Sequence, residues 1–110
     1  MEKVYDKLVR DNIPNIIIKN GEKPVTKILD YDDFKEQLEK KLYEEYLEVL
    51  ETKNSEERIE ELADMLEIIS YLAKIENKKL EDVINVANIK RNKRGGFDNK
   101  IFLEKVISDK

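Results

Sequence analysis

The sequence contains neither cysteine nor histidine. Without cysteine there is no disulfide, no thiolate zinc site and no cysteine nucleophile. Without histidine there is no Ser-His-Asp triad, no imidazole base and no histidine metal ligand. Acid–base chemistry is left to carboxylates, lysine, tyrosine or water activated by a metal ion. The glycine-rich GxxxxGK[ST] phosphate loop is also missing, which excludes a P-loop NTPase. Asp30, Asp32 and Asp33 lack the glycine and terminal glutamate of an EF-hand loop. No apolar run approaches membrane-spanning length. The opening MEKVYDKLVR is charged and has no signal-peptide core, so a cytoplasmic protein is expected. A net charge of −4 argues against a surface devoted to nucleic acid.

What is present is a chain of 110 residues, enough for one domain with a modest core. Residues 1–30 read as an irregular arm. Asn12-Ile13-Pro14 disfavours helix just before the proline, a helical turn over Ile13 to Lys19 is an alternative, and Pro24 to Leu29 fits a short strand or a docked extended segment. Three amphipathic helices follow. The first begins near Asp30 to Asp33 and ends near Thr52 to Asn54. The second runs from a cap at Ser55 to about Glu76, with Glu56 and Glu57 in its first turn. The third spans about Leu80 to Asn92, with Leu80, Val83, Ile84 and Ala87 as its inner stripe, and is ended by Gly95-Gly96. Phe97 to Val106 fits an extended segment or a last helical turn. The fold class is all-α, a bundle of three to five helices completed by oligomerisation. The reason for the oligomer is the second long helix, whose apolar residues cover roughly two-thirds of its circumference, wider than a small monomer buries. A helix fully buried in one compact monomer is the alternative.

The chemistry-bearing pattern lies on these helices. Glu45 and Glu48 are three residues apart, as are Glu61 and Asp64, and that spacing puts each pair on one helical face. Glu45 falls inside the stripe formed by Leu38, Leu42 and Val49, whereas Glu44 points away. Glu61 shares a face with Met65, Ile68 and Leu72, and Asp64 lies beside it. In a chain that is 42% charged, a single acidic pair is ordinarily a solvated face. Carboxylates on apolar stripes of adjacent helices are different, because burying a charge is costly unless it is paired or bound to a metal. A hard cation such as Mg²⁺, which takes oxygen ligands, resolves the repulsion among four of them.

Cations are gathered at two places. Lys90, Arg91, Lys93 and Arg94 close the third helix before Gly95-Gly96-Phe97, and Lys7 and Arg10 sit in the amino-terminal segment. Basic residues at a helix C-terminus suit the macrodipole. Beside a Gly-Gly turn they can also hold phosphate oxygens, and Lys7, Arg10, Lys90 and Arg94 are the candidates for that role.

Glu45-x-x-Glu48 followed, after a dozen residues, by Glu61-x-x-Asp64 resembles the signature of the all-α NTP pyrophosphohydrolases, the MazG-like superfamily that includes the phosphoribosyl-ATP pyrophosphohydrolases. KLVRDNIPNII at residues 7–17 and KRGGF at residues 93–97 resemble a small single-domain branch of predicted house-cleaning pyrophosphatases. The likeness runs over nearly the whole chain; Asn12 departs from it, standing where a charged residue is expected. The resemblance implies a helical fold in which Glu45, Glu48, Glu61 and Asp64 hold Mg²⁺, with Mn²⁺ as a substitute. It implies hydrolysis of a nucleoside triphosphate to the monophosphate and pyrophosphate by a homodimer or homotetramer. Three other readings stay open: a non-catalytic module binding a metal–nucleotide complex, a helical interaction protein whose acidic pairs are surface, and a phosphoribosyl-ATP pyrophosphohydrolase.

Overall fold

The computed structural model describes residues 1–109 and is all-helical, with no strand among them. Four helices occur in the order α1 (Ile13–Lys19), α2 (Tyr31–Glu51), α3 (Ser55–Ile75) and α4 (Leu80–Arg94). Proline at the start of α1 is compatible with helix because the first turn has no N–H partner to lose. The helical alternative for Ile13 to Lys19 is therefore the one adopted. Asp30 caps α2 by accepting from the Asp33 N–H at 2.9 Å.

The hairpin of α2 and α3 carries the structure. Its connection is only Thr52, Lys53 and Asn54, short enough to make the two helices antiparallel neighbours. The turn is tied on both sides. The Thr52 hydroxyl and the Arg58 guanidinium both donate to the Val49 carbonyl, at 2.7 and 3.2 Å. The cap of α3 is Asn54, not Ser55: its side chain accepts from the Glu57 N–H at 2.8 Å, and Glu57 accepts from the Lys53 N–H at 3.0 Å. At the far end the Tyr31 hydroxyl donates to the Ile75 carbonyl at 3.2 Å. Between these ties Leu38 and Val49 of α2 and Ile68 and Ala73 of α3 are the buried apolar residues.

α3 ends in a Schellman motif. Asn77 takes the left-handed conformation at φ 59°, Lys78 N–H returns to the Ala73 carbonyl and Asn77 N–H to that of Lys74. α4 then packs on α3 but not on α2, and α1 forms no helix–helix interface. α4 runs two residues further than expected, to Arg94, where Gly95 at φ 84° turns the chain out of the helix. Residues 22–30 form no strand, and Val25 and Ile28 in that segment are exposed rather than docked. Phe97 to Lys100 closes a single hydrogen-bonded turn, and the chain from there to Val106 is irregular. A radius of gyration of 19.3 Å exceeds the roughly 13 Å of a compact chain of this length. Among the described residues no helix is long and apolar enough to cross a membrane.

Candidate metal centre

The hairpin sets the height of the acidic pairs. Glu45 lies six residues before the end of α2, and Glu61 six residues after the start of α3. A helix rises about 1.5 Å per residue, so an antiparallel hairpin with a three-residue connection brings the two to one level. Asp64 follows one turn beyond Glu61. One carboxylate oxygen from each of Glu45, Glu61 and Asp64 lies within 4.8 Å of the other two. That is a separation one cation can bridge with oxygen ligands at its ordinary bond lengths.

Glu45 is the buried member, 8% exposed. Lys41, one helical turn earlier, reaches its Oε1 at 3.8 Å. Its Oε2 is buried and meets no donor, and the Oε2 of Glu61 is in the same state. Leaving a buried carboxylate oxygen unpaired is unfavourable. Protonation is the remedy open to the chain alone, and the pKa values reflect it. A hydrogen bond shared with Glu48 is the largest cause raising Glu61 from 4.5 to about 7, with burial, Glu45 and Asp64 adding to it. Burial is the first cause raising Glu45, followed by the negative charge of Glu48.

Glu48 is exposed and outside the cluster of three. It stands at the rim, where an open groove of about 220 Å³ is lined by Glu48, Glu51, Thr52, Glu57, Glu60 and Glu61. Glu44, expected to point away, is half-buried.

Of the four candidate phosphate-binding cations, the structure brings Arg10 to the carboxylates. Its guanidinium donates to Asp64 Oδ1 at 2.8 Å and to Glu67 Oε2 at 3.2 Å. At 56% side-chain exposure Arg10 remains open to solvent. Lys7 lies over the Tyr5 ring, 5.5 Å from its centroid. Lys90 and Arg94 stand on the exposed second half of α4, which has no interface with α2. Two residues of the site were missed in the sequence, Lys41 and Glu67. Both sit at helical spacing from a named carboxylate, i−4 from Glu45 and i+3 from Asp64, and that was the available signal.

No family model, no curated protein and no solved structure matches this chain significantly.

Proposed function

We propose that this chain is a Mg²⁺-dependent nucleoside triphosphate pyrophosphohydrolase, with Mn²⁺ able to substitute, that releases pyrophosphate and a nucleoside monophosphate. One observation supports it above the rest. Glu45 is nine-tenths buried and carries an unpartnered carboxylate oxygen, Glu61 carries a second, and one carboxylate oxygen from each of Glu45, Glu61 and Asp64 lies within bridging distance of the others. The donor set is all oxygen and anionic, which fits a hard divalent cation and not a soft one. The likeness of the paired acidic motif to the all-α pyrophosphohydrolases supplies the substrate class.

In this reading Glu45, Glu61 and Asp64 hold the ion, with Glu48 beside them. When bound there, the ion would supply charge neutralisation and Lewis-acid polarisation to a phosphoryl group. Glu48, at the edge of the groove, holds the attacking water and takes its proton. The water oxygen bonds to the α-phosphorus as the bond from that phosphorus to the bridging oxygen breaks, and pyrophosphate departs. Arg10 offers its exposed guanidinium to a phosphate oxygen. The substrate is a standard or modified NTP or dNTP, and the setting is the cytoplasm.

Product analysis tests the reading. With Mg²⁺ and an NTP, the monophosphate and pyrophosphate should accumulate in equal amounts, and Glu45→Ala and Asp64→Ala should each lower turnover about 100-fold or more. Diphosphate and inorganic phosphate as products would contradict the site of attack. Unchanged turnover in both variants would contradict the ligand assignment.

A further inference from the structure

The oligomer expected from the width of the α3 apolar face has a more specific form. We propose that residues 97–107 are an exchanged arm, which leaves its own chain and lies on the open α3–α4 face of a second copy.

Among the described residues, no side chain of residues 97–107 is hydrogen-bonded or ion-paired to the helices. Phe97, Ile101, Phe102, Leu103, Val106 and Ile107 are each between 73% and 97% exposed. A scattered apolar residue on a surface is ordinary, but six within eleven residues are not. The backbone is equally unsatisfied. One backbone–backbone hydrogen bond, Lys100 N–H to the Phe97 carbonyl, is made within residues 97–107, so most of the segment's donors and acceptors are open to a partner. Gly95 at φ 84° ends α4, and glycine takes that conformation without strain.

The receiving surface lies on the same chain. Ile59, Leu62 and Leu66 of α3 and Val83, Val86 and Ile89 of α4 are all exposed. The whole chain, with the arm and these residues among its open parts, leaves more surface exposed than a compact fold does. The accessible surface is 10623 Å², about 4,300 Å² more than the roughly 6,300 Å² of a compact 13.0 kDa chain. Obligate homodimers bury about 2,000–5,000 Å² in total. Charge does not oppose the contact, since Asp98 and Glu104 in the arm are balanced by Lys100 and Lys105. A second copy is therefore the occupant whose chemistry matches. This inference stands independently of the metal reading.

The absence of cysteine makes the test direct. Glu104→Cys in the full chain takes a single thiol-linked photo-cross-linker at a polar arm position. Chains grown on light and on heavy nitrogen are mixed, unfolded, refolded and photolysed, and the linked peptides are weighed. Links from the arm to α3 or α4 in mixed-isotope pairs are expected, with a solution mass that is a multiple of 13.0 kDa. Links confined to one isotope, no protein links, or a single-chain mass at tens of micromolar would each overturn the proposal. Leu103→Asp gives an independent check, because the arm contributes little to its own chain's helices. Subunit dissociation strengthened by about tenfold or more, with helicity retained, is expected, and an unchanged mass on dilution would overturn it.

Discussion

Glu45 and Glu61 face each other across the α2–α3 hairpin, and each carries a buried Oε2 that no donor of the chain reaches. Two carboxylates in that relation need either a proton between them or a cation. The choice between those two is set by pH and by metal, and both are open to experiment.

The raised Glu61 carboxyl, from 4.5 to about 7 with the Glu48 hydrogen bond as its first cause, fixes the sign of the pH dependence. A group whose pKa is higher in the folded state favours the fold while it is protonated. Its contribution is complete below about pH 4.5 and is lost as pH rises through about 7. Metal-free protein should therefore melt at a lower temperature near pH 8 than near pH 6. Mg²⁺ should narrow that gap, because the ion takes the place of the proton. Thermal melts in chelator and in Mg²⁺ check both statements, and a metal-free melting temperature that rises over this range would contradict a protonated Glu61.

Glu61→Gln separates charge from shape. The amide keeps the volume and adds a donor for Glu45 or Glu48. Near pH 8 the metal-free variant should melt several degrees above the parent, and Mg²⁺ should no longer shift it. Calorimetry with Mn²⁺ in place of heating reads the same loss as weakened metal binding.

Arg10→Ala removes the ion pairs to Asp64 and Glu67. Both are solvent-exposed, and exposed pairs contribute only about 0.2–1 kcal/mol. Urea denaturation should therefore change by less than about 1 kcal/mol. The KM for the nucleotide should rise if the guanidinium serves the phosphates, and an unchanged KM would confine Arg10 to orienting Asp64.

Leu38 is the most deeply buried side chain, at 2% exposure. Leu38→Ala should lower stability by about 2–5 kcal/mol through lost burial and the cavity left behind. Denaturant unfolding at fixed protein concentration checks this.

The helix caps give a finer test of the hairpin. Asn54→Ala removes the acceptor for the Glu57 N–H and should cost about 1 kcal/mol. Ser55→Ala, within the first turn and without that bond, should cost less. Comparing the two variants by urea denaturation decides which residue caps α3.

How far the sequence foretold this structure follows from which interactions are local. The three longer helices were legible because apolar spacing and Asp30 act within a few residues, but Val83, Ile84 and Ala87, read as the inner stripe of α4, are exposed in the chain. The meeting of Glu45 with Glu61 and Asp64 was legible because a three-residue turn leaves an antiparallel pair little freedom. The cap was misplaced by one residue: Asn54 and Ser55 are both good cap residues, and the three-residue spacing from Asn54 to Glu57 was the deciding signal. Lys41 and Glu67 were within reach of the helical-spacing rule. The arrival of Arg10 at Asp64, 54 residues away in sequence, was not, since nothing local fixes the path of an irregular arm. The arm after Gly95 has apolar residues but no clear period, so its single turn and irregular remainder could not be read from spacing.

The most direct measurement is pyrophosphate release from a panel of standard and modified NTPs and dNTPs, with Mg²⁺, with Mn²⁺ and with chelator. Metal-dependent release by the parent, abolished by chelator and by Glu61→Ala, is the expected result, and the best substrate would give the specificity. No release from any nucleotide by protein shown to be folded, or release that persists in chelator, would contradict a metal-dependent pyrophosphohydrolase built on Glu45, Glu61 and Asp64.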